Sequence, residues 1–190
     1  MKSVLIPMLL CMGLSATAQL RFGTYRYEDD DRVGNVLPAA NALAAATYNT
    51  ATVISYPSVQ ALVEAIQQDE VDVAFINTFG YLLLASDSVR QQMEPLAVWK
   101  ASKSLEIPLG PVLVNRKLPE PMRLKLASVL FGLHRSHKQA FYAARNGWME
   151  AKHVKAFVPV PEDYHERFLH LFGNAMERKH ILGELLDDCS

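Results

Sequence analysis

Short apolar strands and amphipathic helices alternate three times between Leu20 and Ala85, and this alternation restricts the fold more than any other feature of the chain. Leu20-Arg21-Phe22-Gly23-Thr24-Tyr25 alternates apolar and polar side chains, the two-residue period of a strand. An Ala-rich helix follows from Val36 to Tyr48, with Leu37, Ala40, Leu43 and Ala44 on one face. Thr52 to Ser55 is a β-branched strand. Ser58 suits a helix N-cap, and Leu62, Val63 and Ile66 form the apolar stripe of a helix from Val59 to Gln68. Val71 to Ile76 reads as a buried strand, and Asn77-Thr78 caps a helix from Phe79 to Ala85. Such a chain implies an α/β fold with a mainly parallel sheet flanked by helices.

Right-handed crossovers place Tyr25 to Tyr27, Ser55 to Ser58 and Asn77 to Tyr81 at one edge of that sheet, the carboxyl ends of its strands. Ligands of open α/β sheets sit there, because the first amides of a helix lack internal partners and its dipole is positive at that end. Two further strands are expected at Leu96 to Lys100 and Val112 to Asn115, the latter joining the sheet of Phe22, Val53 and Val73. Helices are expected at Pro119 to Leu133, Ser136 to Asn146 and Tyr164 to Leu185, the last broken at Gly173. Val158-Pro159-Val160-Pro161 reads as an extended connector.

The N-terminus has one positive charge at Lys2, an apolar run from Val4 to Leu14 and the triplet Ala16-Thr17-Ala18. That is the pattern of a secretory signal peptide, residues 1–18, and the run is shorter than the ~20 residues of a membrane span. Residues 19–190 are then expected to form a single α/β domain, soluble in the periplasm or secreted. Lys plus Arg is 19 against 20 for Asp plus Glu, a net charge of -1, so no bulk field attracts nucleic acid. Two cysteines, Cys11 and Cys189, are too few for a disulfide scaffold.

Tyr25, Arg26 and Tyr27 follow the first strand and offer phenols and a guanidinium to an oxyanion, although Asp29, Asp30 and Asp31 stand close by. Tyr56 and Ser58 offer a phenol, a hydroxyl and helix amides. Asn77, Thr78 and Tyr81 serve as cap, packing and site wall. His134 and His137 are three apart but have no third ligand at fixed spacing, so no metal site is read. Asp72 in Val-Asp-Val reads as a cap or a strand-edge residue rather than a catalytic one. No nucleophile elbow, zinc-protease, P-loop or dinucleotide motif is present, which leaves no catalytic residue, no cofactor and no support for an enzyme.

The strand Leu20 to Tyr25, the helix Val59 to Gln68, Val71-Asp72-Val73-Ala74-Phe75 and Gly80-Tyr81-Leu82-Leu83-Leu84-Ala85 together resemble the first lobe of the phosphate/phosphite/phosphonate-type periplasmic binding proteins of ABC transporters. Trp99-Lys100 through Ile107-Pro108-Leu109-Gly110-Pro111-Val112 resembles a later stretch of the same family. The resemblance spans roughly Leu20 to Tyr164, and implies a periplasmic-binding-protein-like lobe, a small oxyanion ligand (phosphate or phosphonate) and an ABC permease as partner. Tyr25, Tyr27, Tyr56, Ser58, Asn77, Thr78 and Tyr81 are then the expected ligand-binding residues. The departure is large. In the family a second lobe lies between the strand near Val98 and the segment starting at Trp99, and here these run together. The family's Ser/Thr-rich Ser-Gly motif and its Tyr-x-Ser are absent, and Val59 stands where an aromatic is usual.

Loss of the second wall predicts weak binding. A micromolar ligand needs about -8 kcal/mol, and one helix N-terminus contributes ~0.3–1 kcal/mol. The alternative is a single lobe repurposed as an interaction or sensor module without transport. Without a covering lobe, Tyr25, Tyr27, Tyr56, Phe79 and Tyr81 are expected to form an exposed aromatic rim, a surface suited to self-association.

Overall fold

The first strand, β1 (Gln19–Tyr25), pairs in parallel with β2 (Thr50–Tyr56) along its whole length and with β3 (Val73–Phe75) on its other side. In this computed structural model residues 18–27, 30–85, 91–101 and 108–187 are described. The expected signal segment, apart from Ala18, and both cysteines lie outside them. Beyond β3 come β4 (Met93–Ala101), β5 (Val112–Asn115) and β6 (Val154–Val158), in the sheet order β2-β1-β3-β5-β4-β6. Three adjacent pairs, β3 with β5, β5 with β4 and β4 with β6, are antiparallel. Four strands, β1 to β4, therefore run one way, and β5 and β6 run back. Val114 opposite Val73 places Val112–Asn115 in the sheet of Phe22 and Val53, as the sequence predicts.

Helices cover both faces, which is why the central strands read as unbroken apolar runs. Val73 and Phe75 point to one side, with Phe22, Val112 and Val114, against α1 (Val33–Ala46), α4 (Glu120–Ser136) and α5 (Lys138–Asn146). Ala74 and Leu113 point to the other, against α2 (Val59–Gln67), α3 (Thr78–Ala85) and α6 (Tyr164–Leu171). The last helix, α7 (Ala175–Asp187), follows a break at Gly173, whose φ of 74° suits glycine. In α4, Leu126, Leu130 and Leu133 are fully buried at helical spacing, and truncating any one costs about 2–5 kcal/mol.

Local choices follow residue chemistry. Ser58 caps α2, its Oγ accepting from the Ala61 amide at 3.1 Å. The first helix begins at Val33 rather than Val36, with Pro38 inside it and Val36, Ala39, Ala40, Leu43 and Ala44 buried. Leu37, expected on the buried face, turns outward. Val154–Val158 is a strand that the sequence reading did not foresee, formed because the long β4 offers its edge to it, and residues 159–161 after it run on as the expected connector. At the amino ends of the strands, Arg21 clamps Asp72 through Nε (3.1 Å) and Nη2 (2.7 Å). Asp69 there accepts from Asn115 Nδ2 at 2.8 Å and pairs with Lys117. Asp72 is thus a structural partner far from the carboxyl edge.

Candidate functional site

The carboxyl ends of β1 and β3 open into a pocket of about 620 Å³ whose lining includes Tyr25, Tyr27, Asp30, Arg32, Asn77 and Glu150. Its volume lies within the range of about 300–1,000 Å³ typical of ligand sites. Tyr25 ends β1 and is only 3% exposed. Its hydroxyl accepts a hydrogen bond from Trp148 Nε1 at 3.1 Å. Burial pushes the Tyr25 phenol up, against the pull of Arg32 and of the Trp148 hydrogen bond.

Arg32 is the central residue. It precedes α1 and is 6% exposed. Its guanidinium carbon lies 4.4 Å from the centre of the Tyr25 ring, 5.0 Å from Trp148 and 5.6 Å from Tyr27. Three aromatic faces hold the cation, yet its Nε and Nη1 have no hydrogen-bond partner among the described residues. Buried donors are nearly always paired, and leaving one open costs about 1–3 kcal/mol. Asp30 and Glu150 share the pocket lining without forming an ion pair to Arg32.

Of the residues expected to bind ligand, the structure brings Tyr25, Tyr27 and Asn77 into this pocket. Asn77 also caps α3, its Oδ1 accepting from the Gly80 amide at 2.8 Å. The others have different surroundings. Thr78 donates to the Pro108 carbonyl at 2.8 Å. Tyr81 is 4% exposed, with its ring edge-on to Phe168 at 4.8 Å and its hydroxyl 3.2 Å from His165 Nδ1. The Tyr56 phenol is pushed up by burial and by Glu70, with Arg21 opposing, charges that do not line the pocket. Ser58 is occupied as the α2 cap.

The exposed aromatic rim is therefore a corrected expectation. Of its members Tyr27 stands in solvent at 56%, whereas Trp148 covers Tyr25 and Phe168 covers Tyr81. The helix ends are also less open than expected. Ser58 and Asn77 cap α2 and α3, and Asp31 Oδ1 accepts from the Val33 amide at 3.1 Å in the first turn of α1. Each cap satisfies one of the amides that an anion would use.

No family model matches the chain, and no curated protein does. Solved structures do. XAC2383 from Xanthomonas citri bound to chloride has a TM-score of 0.62 at 8% identity, covering 87% of this chain and 99% of that one. XAC2383 bound to ATP has a TM-score of 0.61 at 8% identity, covering 87% and 98%. The likeness is one of fold. Coverage this complete leaves nothing the size of a second lobe unmatched in that neighbour.

A second hollow of about 610 Å³ lies beside α6, lined mainly by apolar residues that include Trp99, Leu109, Tyr164, Phe168 and Leu171. The Tyr164 hydroxyl donates to the Leu109 carbonyl at 3.2 Å, and burial pushes its phenol up. Between the two hollows Gly110 lies against the Ile76–Asn77 backbone, where a Cβ would collide with the Ile76 carbonyl oxygen and the Asn77 carbonyl carbon. His134 lies in the last turn of α4 and His137 caps its end, so only the first of the two is inside the helix. Among the described residues no helix is long and apolar enough to cross a membrane.

Sequence reasoning missed Arg32 and Trp148. It weighed Arg26, which is exposed. Arg32 follows three aspartates, which made it read as part of a solvated turn. The usable signal was its place immediately before α1, with an aromatic pair at Tyr25 and Tyr27 upstream.

Proposed function

We propose that this chain is an extracytoplasmic solute-binding protein of the phosphate/phosphonate transporter type, reduced to one lobe, which holds a small oxyanion against Arg32. The observation that carries the reading is the Arg32 guanidinium, among the residues lining a ligand-sized pocket, with two nitrogens that have no hydrogen-bond partner among the described residues. A guanidinium presents several N–H donors in one plane, which suits the oxygens of a phosphonate or phosphate. Asn77 adds an amide beside it. Asp30 and Glu150 repel anionic oxygens on their side of the pocket, so a phosphonate with its oxygen-free organic substituent toward them suits the lining better than free phosphate. Binding to two anions, chloride and ATP, in the structural neighbour is in keeping with this reading.

Two charge-assisted hydrogen bonds at about 1.5–3 kcal/mol each give about 3–6 kcal/mol before ordering costs. That matches millimolar affinity, about -4 kcal/mol, rather than the nanomolar range. Calorimetric titration with methylphosphonate and with phosphate tests it, using the unmodified chain and Arg32→Gln. Millimolar binding that the variant loses is expected. No binding of either anion, or equal binding by Arg32→Gln, refutes the assignment.

A further inference from the structure

The two edges of the sheet are unlike. On β6 the exposed Lys155 sits inside the strand, whereas a proline follows the end of both edge strands, Pro159 after β6 and Pro57 after β2. Charge and proline are the devices that keep edge strands from pairing with other chains. On β2 the seven residues Thr50–Tyr56 include no charge, no Pro and no Gly. Their register with β1 runs from Gln19↔Thr50 to Tyr25↔Tyr56 without a bulge. The Thr50 amide donates to the Ala18 carbonyl at 3.2 Å, and the Tyr56 carbonyl accepts from the Arg26 amide at 2.8 Å. Strand backbone groups alternate sides, so Ala51, Val53 and Ser55 direct their N–H and C=O groups away from β1.

The lack of charge extends beyond the strand. From Val33 through Val63 there is not one Asp, Glu, Lys, Arg or His, in a chain where 21% of residues are charged. The most exposed positions of α1 are Gly34, Leu37, Asn41 and Ala45, none of them charged and only Asn41 polar. Ile54 is 41% exposed, and Tyr48, between α1 and β2, is 90% exposed at a φ of 58°. A surface helix and an edge strand without charge, side by side, resemble the core of an interface between identical subunits.

We propose that β2 pairs antiparallel with β2 of a second copy of this chain, about a two-fold axis through Val53, joining two sheets into one. This inference is independent of the oxyanion reading. The register follows from the outward groups. Val53 faces Val53 of the other copy, and Ala51 faces Ser55, each facing pair exchanging two backbone hydrogen bonds. Ile54 then stands opposite Thr52, a β-branched pair, and nothing sets like charges opposite each other. The same register carries Tyr48 opposite residue 58, over the partner copy's Pro57-Ser58 turn. The uncharged faces of the two α1 helices come side by side on one face of the joined sheet.

Sedimentation equilibrium on the full chain and on the chain beginning at Gln19 tests this. Both should be dimers, and Ile54→Lys should halve the sedimenting mass while thermal unfolding by circular dichroism stays cooperative. Facing residues of a hydrogen-bonded antiparallel pair have Cα atoms about 5.5 Å apart, within reach of a disulfide. With Cys11 and Cys189 replaced by Ser, Val53→Cys should therefore oxidise to a covalent dimer and Lys155→Cys should not. A monomer in either unmodified chain, a dimer untouched by Ile54→Lys, or equal cross-linking at position 155 overturns the proposal.

Discussion

Replacing Arg32 by Met should make the empty protein more stable while abolishing its response to oxyanions. Two open guanidinium donors, buried at 6% exposure, cost about 1–3 kcal/mol each, or about 2–6 together. The rings at 4.4 and 5.0 Å return about 0.5–2 kcal/mol each and the exposed Tyr27 ring at 5.6 Å about 0.5 kcal/mol. A Met side chain recovers part of that through sulfur–aromatic contact, about 0.3–1.5 kcal/mol. The balance favours Met by about 1–3 kcal/mol, within the gain seen when buried ions give way to apolar groups. For a chain of this size that raises Tm by about 2–10 °C. Circular-dichroism melts in buffer free of phosphate and sulfate measure the difference. Adding methylphosphonate should raise the melting temperature of the unmodified chain, because a ligand specific for the folded state stabilises it, and leave Arg32→Met unmoved. If Arg32→Met melts lower than the parent, the guanidinium is already satisfied, and the argument that it awaits an anion fails.

Two other perturbations probe the frame around the pocket. Gly110→Ala drives a methyl group into the Ile76–Asn77 backbone, so Asn77 must move; a loss of more than about 2 kcal/mol, read as a fall in urea midpoint together with weakened anion binding, is expected. Asp69 is held below the usual carboxylate range, chiefly by its hydrogen bond with Lys117 and then by that from Asn115. A depressed folded pKa means stability that is present above about pH 4, the unfolded value, and lost as pH falls through the folded one. Asp69→Asn should accordingly flatten the acid limb of the stability curve below about pH 4, and an unchanged limb would assign that loss to other carboxylates.

The chain's first half was legible because each element there announces itself locally. Ser58 and Asn77 sit where caps are needed, and past the midpoint Val112-Leu113-Val114-Asn115 is still a strand in both sequence and structure. Strand direction was harder to see. β5 and β6 run back because they pair with strands far away in sequence, and no residue in either encodes that choice alone. Val154-Lys155-Ala156-Phe157-Val158 is a short apolar run broken by one lysine, too brief to announce a strand by its own pattern. The site was half legible for a related reason. Tyr25, Tyr27 and Asn77 lie at strand ends, where topology alone places them. Tyr81 and Tyr56 share that sequence position, yet their rings fold back onto α6 and α2, and only packing decides between the two outcomes.

The bond from Trp148 to Tyr25 spans 123 positions of the chain, and that separation sets when the pocket can first exist. A nascent chain that has emerged only as far as α4 holds Tyr25, Arg32 and Asn77, but no indole to seat the phenol and no β6 to complete the sheet. Closing so long a loop costs more chain entropy than any local contact does. Without the Trp148 ring, Arg32 lacks one of the three aromatic faces that cover it in the folded chain. The pocket proposed to hold an anion thus depends on a contact between two distant parts of the domain, and a chain that has not yet made that contact has no such pocket to fill.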